Sequence, residues 1–476
     1  MSTSPDWALL DGIAQAELVR SGAVSAEELV RLAIERIERV DPRLNAVVIE
    51  RFERALAEAR APLADGPFAG VPFLLKDAVC HSAGDPYHFG MRALKEIGWV
   101  ERSDTTLARR FRAAGLVTLG KTNTPEMAGS ATTEPLAYGP TRNPWDLDRS
   151  PGGSSGGAGA AVAAGLVAVA HGNDMGGSIR IPAAACGVVG LKPSRGRVSL
   201  GPELGEAFGS STHEHVLTRS VRDSAAVLDA IAGYEPGDPY TAPPPHGTFL
   251  QAALRDPGRL RVGVLRLPPA LAIATACQAA VDATAALLDR LGHELVSVEV
   301  APLWDELQGG EAGAALATRE LERLEQRVGQ PLARELLEPA TAYLVELGAS
   351  VSATAYLADA QVAQQWARRV SASWRAQCDV LLTPTLPELP PPLGKLAPTA
   401  LPPAELLEQI GRLVTFTAPF NGTGEPAISL PVWWTDGGQP VGIQLVGGYG
   451  EDAGLLSLAG QLERSAPWHA RYATLE

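Results

Sequence analysis

The sequence predicts an α/β fold on a parallel or mixed sheet, and three stretches carry that prediction. The segment TLARRFRAAG, from Thr106, reads as a helix and runs into the β-rich Leu116 to Leu119. RLRVGVLRL, Arg259 to Leu267, reads as a strand, followed by a helix from about Ala272 to Leu291 and the strand-like HELVSVEV. AGVPFLLKD, Ala69 to Asp77, is a short apolar run ending in a charged pair, as in a buried strand whose end faces a site. Helix and strand in alternation put neighbouring strands into one sheet.

Taken in chain order, the first element is an amphipathic helix. Ser25-Ala-Glu-Glu28 is a capping box, Leu29, Leu32, Ala33, Ile37 and Val40 recur at helical spacing, and Asp41-Pro42 ends the pattern. The strand ending at Lys76 comes next, then the helix and strand that lead into the polar GKTNTPE. Pro-rich stretches at Ala242 to His246 and Pro384 to Pro403 read as surface loops within one domain. Chemistry on one side of the first needs the sheet-forming FNGTGEPAISLPV and QPVGIQLVGG beyond both. No internal repeat is present.

Composition bounds the function without naming it. A chain of 476 residues, 46% hydrophobic and 20% charged, can bury a sizeable core. A formal net charge of -14 disfavours nucleic acid, whose binding needs Lys and Arg against phosphate. Cys80, Cys186, Cys277 and Cys378 form no CxxC pair, so neither a zinc site nor a disulfide framework is expected, and a reducing cytoplasm fits. MSTSPDWALLDG lacks a basic region followed by an apolar stretch, and the longest apolar run, Ala158 to Ala170, is too short for a bilayer. A cytoplasmic protein without a membrane partner is therefore expected.

The chemistry lies in Ser150 to Pro193, where two Gly-rich serine turns flank a helical run of small residues, AGAAVAAGLVAVA. GGSSGG alone reads as a linker, but a tightly packing helix and a second turn, GGS, followed by Ile179-Arg180-Ile181-Pro182, make a site the better reading. A serine nucleophile needs a base, N–H donors for the oxyanion, and backbone bare enough for a carbonyl to approach. Gly176-Gly177-Ser178 can supply the last two. A lysine desolvated at a buried strand end has its pKa lowered toward neutrality and can serve as the base, and Lys76 is such a lysine.

Together GVPFLLKD, GKTNTPE, SPGGSSGGAGA, NDMGGSIRIPAAACGVVGLKPS and PFNGTGEPAISLP resemble the amidase signature family over nearly the whole chain. Within it, DGPFAGVP, Thr132 to Pro135, Thr141 to Trp145, His171 to Asp174 and Arg219 to Asp223 are similar to the aminohexanoate cyclic-dimer hydrolase type. The resemblance implies one domain, 1–476, with a large mixed, mostly parallel twisted sheet covered by helices on both faces. Its signature segment would be about 140–195, within a core from about 66 to 235, and its variable, pocket-forming region about 300–400.

The resemblance also implies a mechanism. Ser178 attacks the carbonyl, Ser154 relays its proton, Lys76 is the base, and the N–H groups of Met175, Gly176, Gly177 and Ser178 hold the oxyanion. It implies a cis Gly153-Ser154 peptide. Ser155, Asp174 and Arg180 are supporting residues, the last two holding the nucleophile turn by charge-assisted hydrogen bonds. Met127, Gly129 and Ser130 are pocket candidates. Gly129 stands where the cyclic-dimer type carries an asparagine against its substrate, so a wider acyl pocket is expected. Trp433-Trp434 replaces a smaller family residue and either lines a pocket or packs. The implied activity is hydrolysis of C–N bonds in amides, small oligoamides or carbamates, with no cofactor or metal. The substrate is a small molecule, and a homodimer is compatible.

Other motifs read differently. Gly115-LVTL-Gly120-Lys121-Thr122 fits a phosphate loop in spacing, but LVTL is apolar and Asn-Thr-Pro follows instead of a helix. Gly152-Gly-Ser154-Ser-Gly156 fits the nucleophile elbow of α/β-hydrolases, an esterase reading with Ser154 attacking, but turn formers precede it and not a strand. His213-Glu-His215 lacks a third metal ligand and suits a polar loop. His171 reads as a hydrogen-bonded core residue. A partner-dependent amidotransferase subunit remains an alternative, although AVCHSAGDPYHF after Lys76 does not resemble the tRNA-linked subunits. A catalytically silent binding protein is another, against which the intact Lys76, Ser154 and Ser178 count.

Overall fold

In the computed structural model the described residues are 7–269, 271–305, 310–469, 471, 473 and 475. The N-terminal reading falls partly on 1–6, and that of the variable region partly on 306–309, which lie outside them. Eleven strands are formed: β1 (Val47–Glu50), β2 (Pro72–Lys76), β3 (Val117–Thr122), β4 (Val169–Asp174), β5 (Val189–Lys192), β6 (His213–Thr218), β7 (Arg261–Leu265), β8 (Glu294–Val298), β9 (Val380–Pro384), β10 (Ala427–Trp434) and β11 (Pro440–Val446). They join one sheet in the order β1-β3-β2-β4-β6-β5-β10-β11-β9-β7-β8.

The sheet is mixed as expected, but less parallel. Parallel pairing is confined to β3-β2-β4 and β9-β7-β8, while the six pairings elsewhere among the described residues are antiparallel. The parallel units are those with a helix between their strands, Thr106–Ala113 before β3 and Thr275–Arg290 before β8. At the centre, β10 and β11 form a hairpin, and β5 is clasped between β6 and β10.

Side chains alternate across β2: Phe73 and Leu75 pack in one core cluster and Leu74 in another, so both faces of the sheet are covered. The first amphipathic helix, Ala26–Val40, forms as read, with Ser25 Oγ accepting the Glu28 N–H at 3.1 Å. Leu29, Ala33, Ile37 and Val40 are buried and Leu32 is half-buried.

Two expectations need correction. The apolar run between the serine turns is not one helix: Gly156–Ala163 is helical, Gly165 takes φ +68°, and Val169–Asp174 is β4. Small residues set no helical period there, and the β-branched end of the run is buried in mid-sheet. The stretch Pro384 to Pro403 is not merely a surface loop, since Leu386 and Leu396 are buried. It straps the signature segment: the Pro391 carbonyl accepts the Ser150 N–H at 2.9 Å, and the Pro390 carbonyl accepts Arg149 Nη1 at 2.6 Å.

Candidate active site

Because β2 and β4 are parallel neighbours, their carboxyl ends bring Lys76 and Asn173-Asp174 to the same edge of the sheet. Such edges are where α/β sheets hold ligands. The two serine turns meet there, with the Ser155 N–H donating to the Ser178 carbonyl at 3.2 Å. Gly153-Ser154 is a cis peptide. A Cβ on Gly153 would lie 2.5 Å from the Thr132 carbonyl oxygen, so only glycine fits.

The Lys76 ammonium is wholly buried, and its three donors meet three acceptors: Ser154 Oγ at 2.7 Å, Ser155 Oγ at 3.0 Å and Asn173 Oδ1 at 2.6 Å. Burial lowers its pKa to about 7, against the opposing pull of the Glu214 and Asp174 charges. Asn173 escaped the sequence reading. Its only signal is its place at a strand end beside Asp174, and its Nδ2 is fixed on the Ala78 carbonyl at 3.1 Å.

His171 Nδ1 accepts the Lys76 backbone N–H at 3.2 Å, so the ring proton sits on Nε2 and faces Glu214 Oε2. It is the hydrogen-bonded core residue expected. Ser154 and Ser155 are fully buried, whereas Ser178 is 9% exposed and is thus the serine of the cluster that outside molecules reach.

Asp174 and Arg180 lock the turn. All five guanidinium donors are used: Nε and Nη2 on Asp174 at 2.9 and 2.8 Å, Nη2 on Asn421 Oδ1 at 2.5 Å, and Nη1 on the Thr417 carbonyl and Gln444 Oε1 at 2.8 and 2.7 Å. Burial opposes ionisation of Asp174, but the charge and hydrogen bonds of Arg180 hold its carboxyl well below the usual range. Gly177 departs from the expected oxyanion donors, because its N–H already donates to Asp174 Oδ1 at 2.7 Å. The N–H groups of Met175, Gly176 and Ser178 meet no acceptor among the described residues.

A cavity of about 420 Å³ opens beside the cluster, lined by Met127, Gly129 and Ser130 together with Met175 and Thr132. Ala314, Leu316, Leu344, Leu396, Leu406 and Ile410 supply apolar walls from the variable region and beyond. Glu126, Glu134 and Glu338 also line it, unforeseen from sequence. Met127, which lines it, and the adjoining Ala128 adopt left-handed backbone, φ +50° and +54°.

Elsewhere the structure resolves open readings. Gly115 to Thr122 is largely β3, with Lys121 paired to Asp77 at 3.1 Å, and not a phosphate loop. His213 and His215 lie on the buried β6 and not in a polar loop, as β4 and β5 flank them and burial drives the pKa of His215 down to about 3. Trp433 and Trp434 do not line the cavity: both pack on the sheet core, Trp434 against Trp145 with ring centroids 6.4 Å apart and Arg471 over its ring.

A mixed α/β sheet with a desolvated lysine wired to paired serine turns beside an apolar cavity defines a hydrolase of C–N bonds. The chain belongs to the amidase signature family: the family model described as Amidase matches residues 28–456. It is 44% identical over 473 residues to a 6-aminohexanoate-cyclic-dimer hydrolase of Paenarthrobacter ureafaciens, covering 97% of this chain and 96% of the relative. A solved 6-aminohexanoate cyclic dimer hydrolase superposes with TM-score 0.94 at 42% identity, covering 98% of this chain and 99% of that one. A bacterial aryl acylamidase of the same family superposes with TM-score 0.84 at 29% identity, covering 97% of each chain.

Proposed function

We propose that Ser178 is the nucleophile of a two-step amide hydrolysis. Its hydroxyl proton passes to Ser154 Oγ as the Ser154 proton passes to the neutral Lys76 amine, while Ser178 Oγ bonds to the substrate carbonyl carbon. The oxyanion is held by the N–H groups of Met175, Gly176 and Ser178. Collapse breaks the C–N bond, the amine leaves with the proton returned through Ser154, and water then cleaves the acyl enzyme by the same relay. The observation that carries this reading is the 2.7 Å contact from Lys76 Nζ to Ser154 Oγ inside a fully buried network whose lysine has its pKa lowered by burial to about 7, so that a proton-accepting form is populated near neutral pH.

The substrates are small amides and oligoamides, cyclic or linear. The likeness to the cyclic-dimer hydrolase and the aryl acylamidase supports that range. Carbamates belong to the same chemistry and would give a carbamoyl enzyme. Ser154 as an esterase nucleophile is disfavoured by its complete burial. The test is release of p-nitroaniline and of an aryl amine from paired amide and carbamate substrates by the unaltered chain, Ser178→Ala and Lys76→Ala, with and without chelator. Loss of turnover in both variants, indifferent to chelator, is expected. Turnover surviving Ser178→Ala would move the nucleophile elsewhere, Ser154 first.

A further inference from the structure

The cavity holds three carboxyl groups and, among its lining residues, no lysine, arginine or histidine. Each is anchored through one oxygen by a backbone N–H. Glu126 Oε1 takes that of Glu338 at 2.7 Å, Glu134 Oε2 that of Gly394 at 2.7 Å, and Glu338 Oε1 that of Leu136 at 2.7 Å. The second oxygens are left over. Among the described residues, Glu126 Oε2 and Glu134 Oε1 are sealed in without a hydrogen-bond partner in good geometry, although the hydroxyls of Thr341 and Thr132 come near. Glu338 Oε2 accepts nothing from the described residues and is not among the sealed atoms, although Glu338 as a whole is only 7% exposed.

Glu126 and Glu338 lie close enough for the charge of one to oppose ionisation of the other. Burial pushes Glu126 up to about 7, and burial together with the neighbouring Glu126 charge pushes Glu338 up to about 8. Arg92, whose Nε is engaged by the Leu336 carbonyl, offsets only part of this. A buried carboxyl with an unsatisfied oxygen facing an otherwise apolar cavity is the complement of a cationic donor on an apolar stem.

We propose that Glu338, backed by Glu126, is a specificity-determining residue that receives the primary ammonium of an ω-aminoacyl amide while its methylenes lie along the apolar wall. This rests on the acyl-transfer reading of Ser178. A chain ending in carboxylate would find no lysine, arginine or histidine among the lining residues to offset its desolvation, so the site disfavours it.

The test compares ω-aminoacyl, alkanoyl and ω-carboxyalkanoyl p-nitroanilides over a ladder of chain lengths, with the unaltered chain, Glu338→Gln and Ser178→Ala. At the best length, kcat/KM for the aminoacyl compound should exceed that of the alkanoyl one by about tenfold or more, as a charge-assisted hydrogen bond implies, with the carboxyalkanoyl compound poorest. Glu338→Gln should abolish the preference, with an unchanged melting curve reporting an intact fold. A preference that is absent in the unaltered chain, or that survives Glu338→Gln, overturns the assignment. Turnover surviving Ser178→Ala, or no turnover of any anilide, overturns the nucleophile reading instead. Glu338 is then judged by calorimetric binding of an alkylammonium against the matching alkanol. Tighter ammonium binding that Glu338→Gln removes supports the assignment, and equal binding overturns it.

Discussion

On the proposed relay, Lys76 carries the pH dependence. With its pKa lowered to about 7 by burial, its neutral, proton-accepting form grows as pH rises through that value, so kcat/KM should rise across it and flatten above. Asn173 Oδ1, 2.6 Å from the ammonium, tunes this. Asn173→Asp places a negative charge there, favours the protonated lysine, and should move the acid limb of the profile alkaline by about 1 to 3 units. A pH–rate profile with an unmoved limb would detach Asn173 from the lysine. Lys76→Arg, always protonated, should lower kcat/KM by about 100-fold or more at any pH, read in the same assay. Asp174 bears on stability: Asp174→Asn leaves Arg180 buried without its counter-charge and should cost about 3 to 5 kcal/mol, measured by chemical denaturation.

Among the elements, the nucleophile turn divides its glycines by what surrounds them. A Cβ on Gly177 would lie 2.3 Å from Thr417 Oγ1 at a backbone φ of +139°, whereas one on Gly176 would meet nothing nearer than Ala418 Cβ at 3.7 Å. Gly177→Ala should therefore lower the thermal midpoint and abolish turnover, while Gly176→Ala should stay within about 1 kcal/mol of the unaltered chain in stability, read from melting curves. The same scale explains what was legible. The outer βα units were readable because each is closed locally by its own helix. The antiparallel centre was not, because β5 finds β10 only from the far end of the chain. The site lysine and the serine turns stood out through glycine spacing and a charged strand end. Asn173 and the cavity carboxyls did not, since a glutamate declares its burial only when Leu136 and Gly394 from distant loops donate to it.

At the scale of the molecule, the site is a seam between chain halves. Arg180 reaches Thr417, Asn421 and Gln444, and β5 of the first half is flanked by β10 of the second. A fragment of residues 1–240, cut in the Pro-rich stretch region, should show no cooperative melt and no amidase turnover. Coexpression with 241–476 should restore both, and a folded, active N-terminal fragment would refute the seam.

That clamp also orders events in time. The ribosome delivers Lys76, Ser154 and Ser178 long before Asn421 and Gln444, so the nascent chain carries the proposed relay residues without the partners that Arg180 engages. On the proposed mechanism, hydrolytic competence should therefore arise only late in synthesis, and a chain ending before Asn421 should show no turnover.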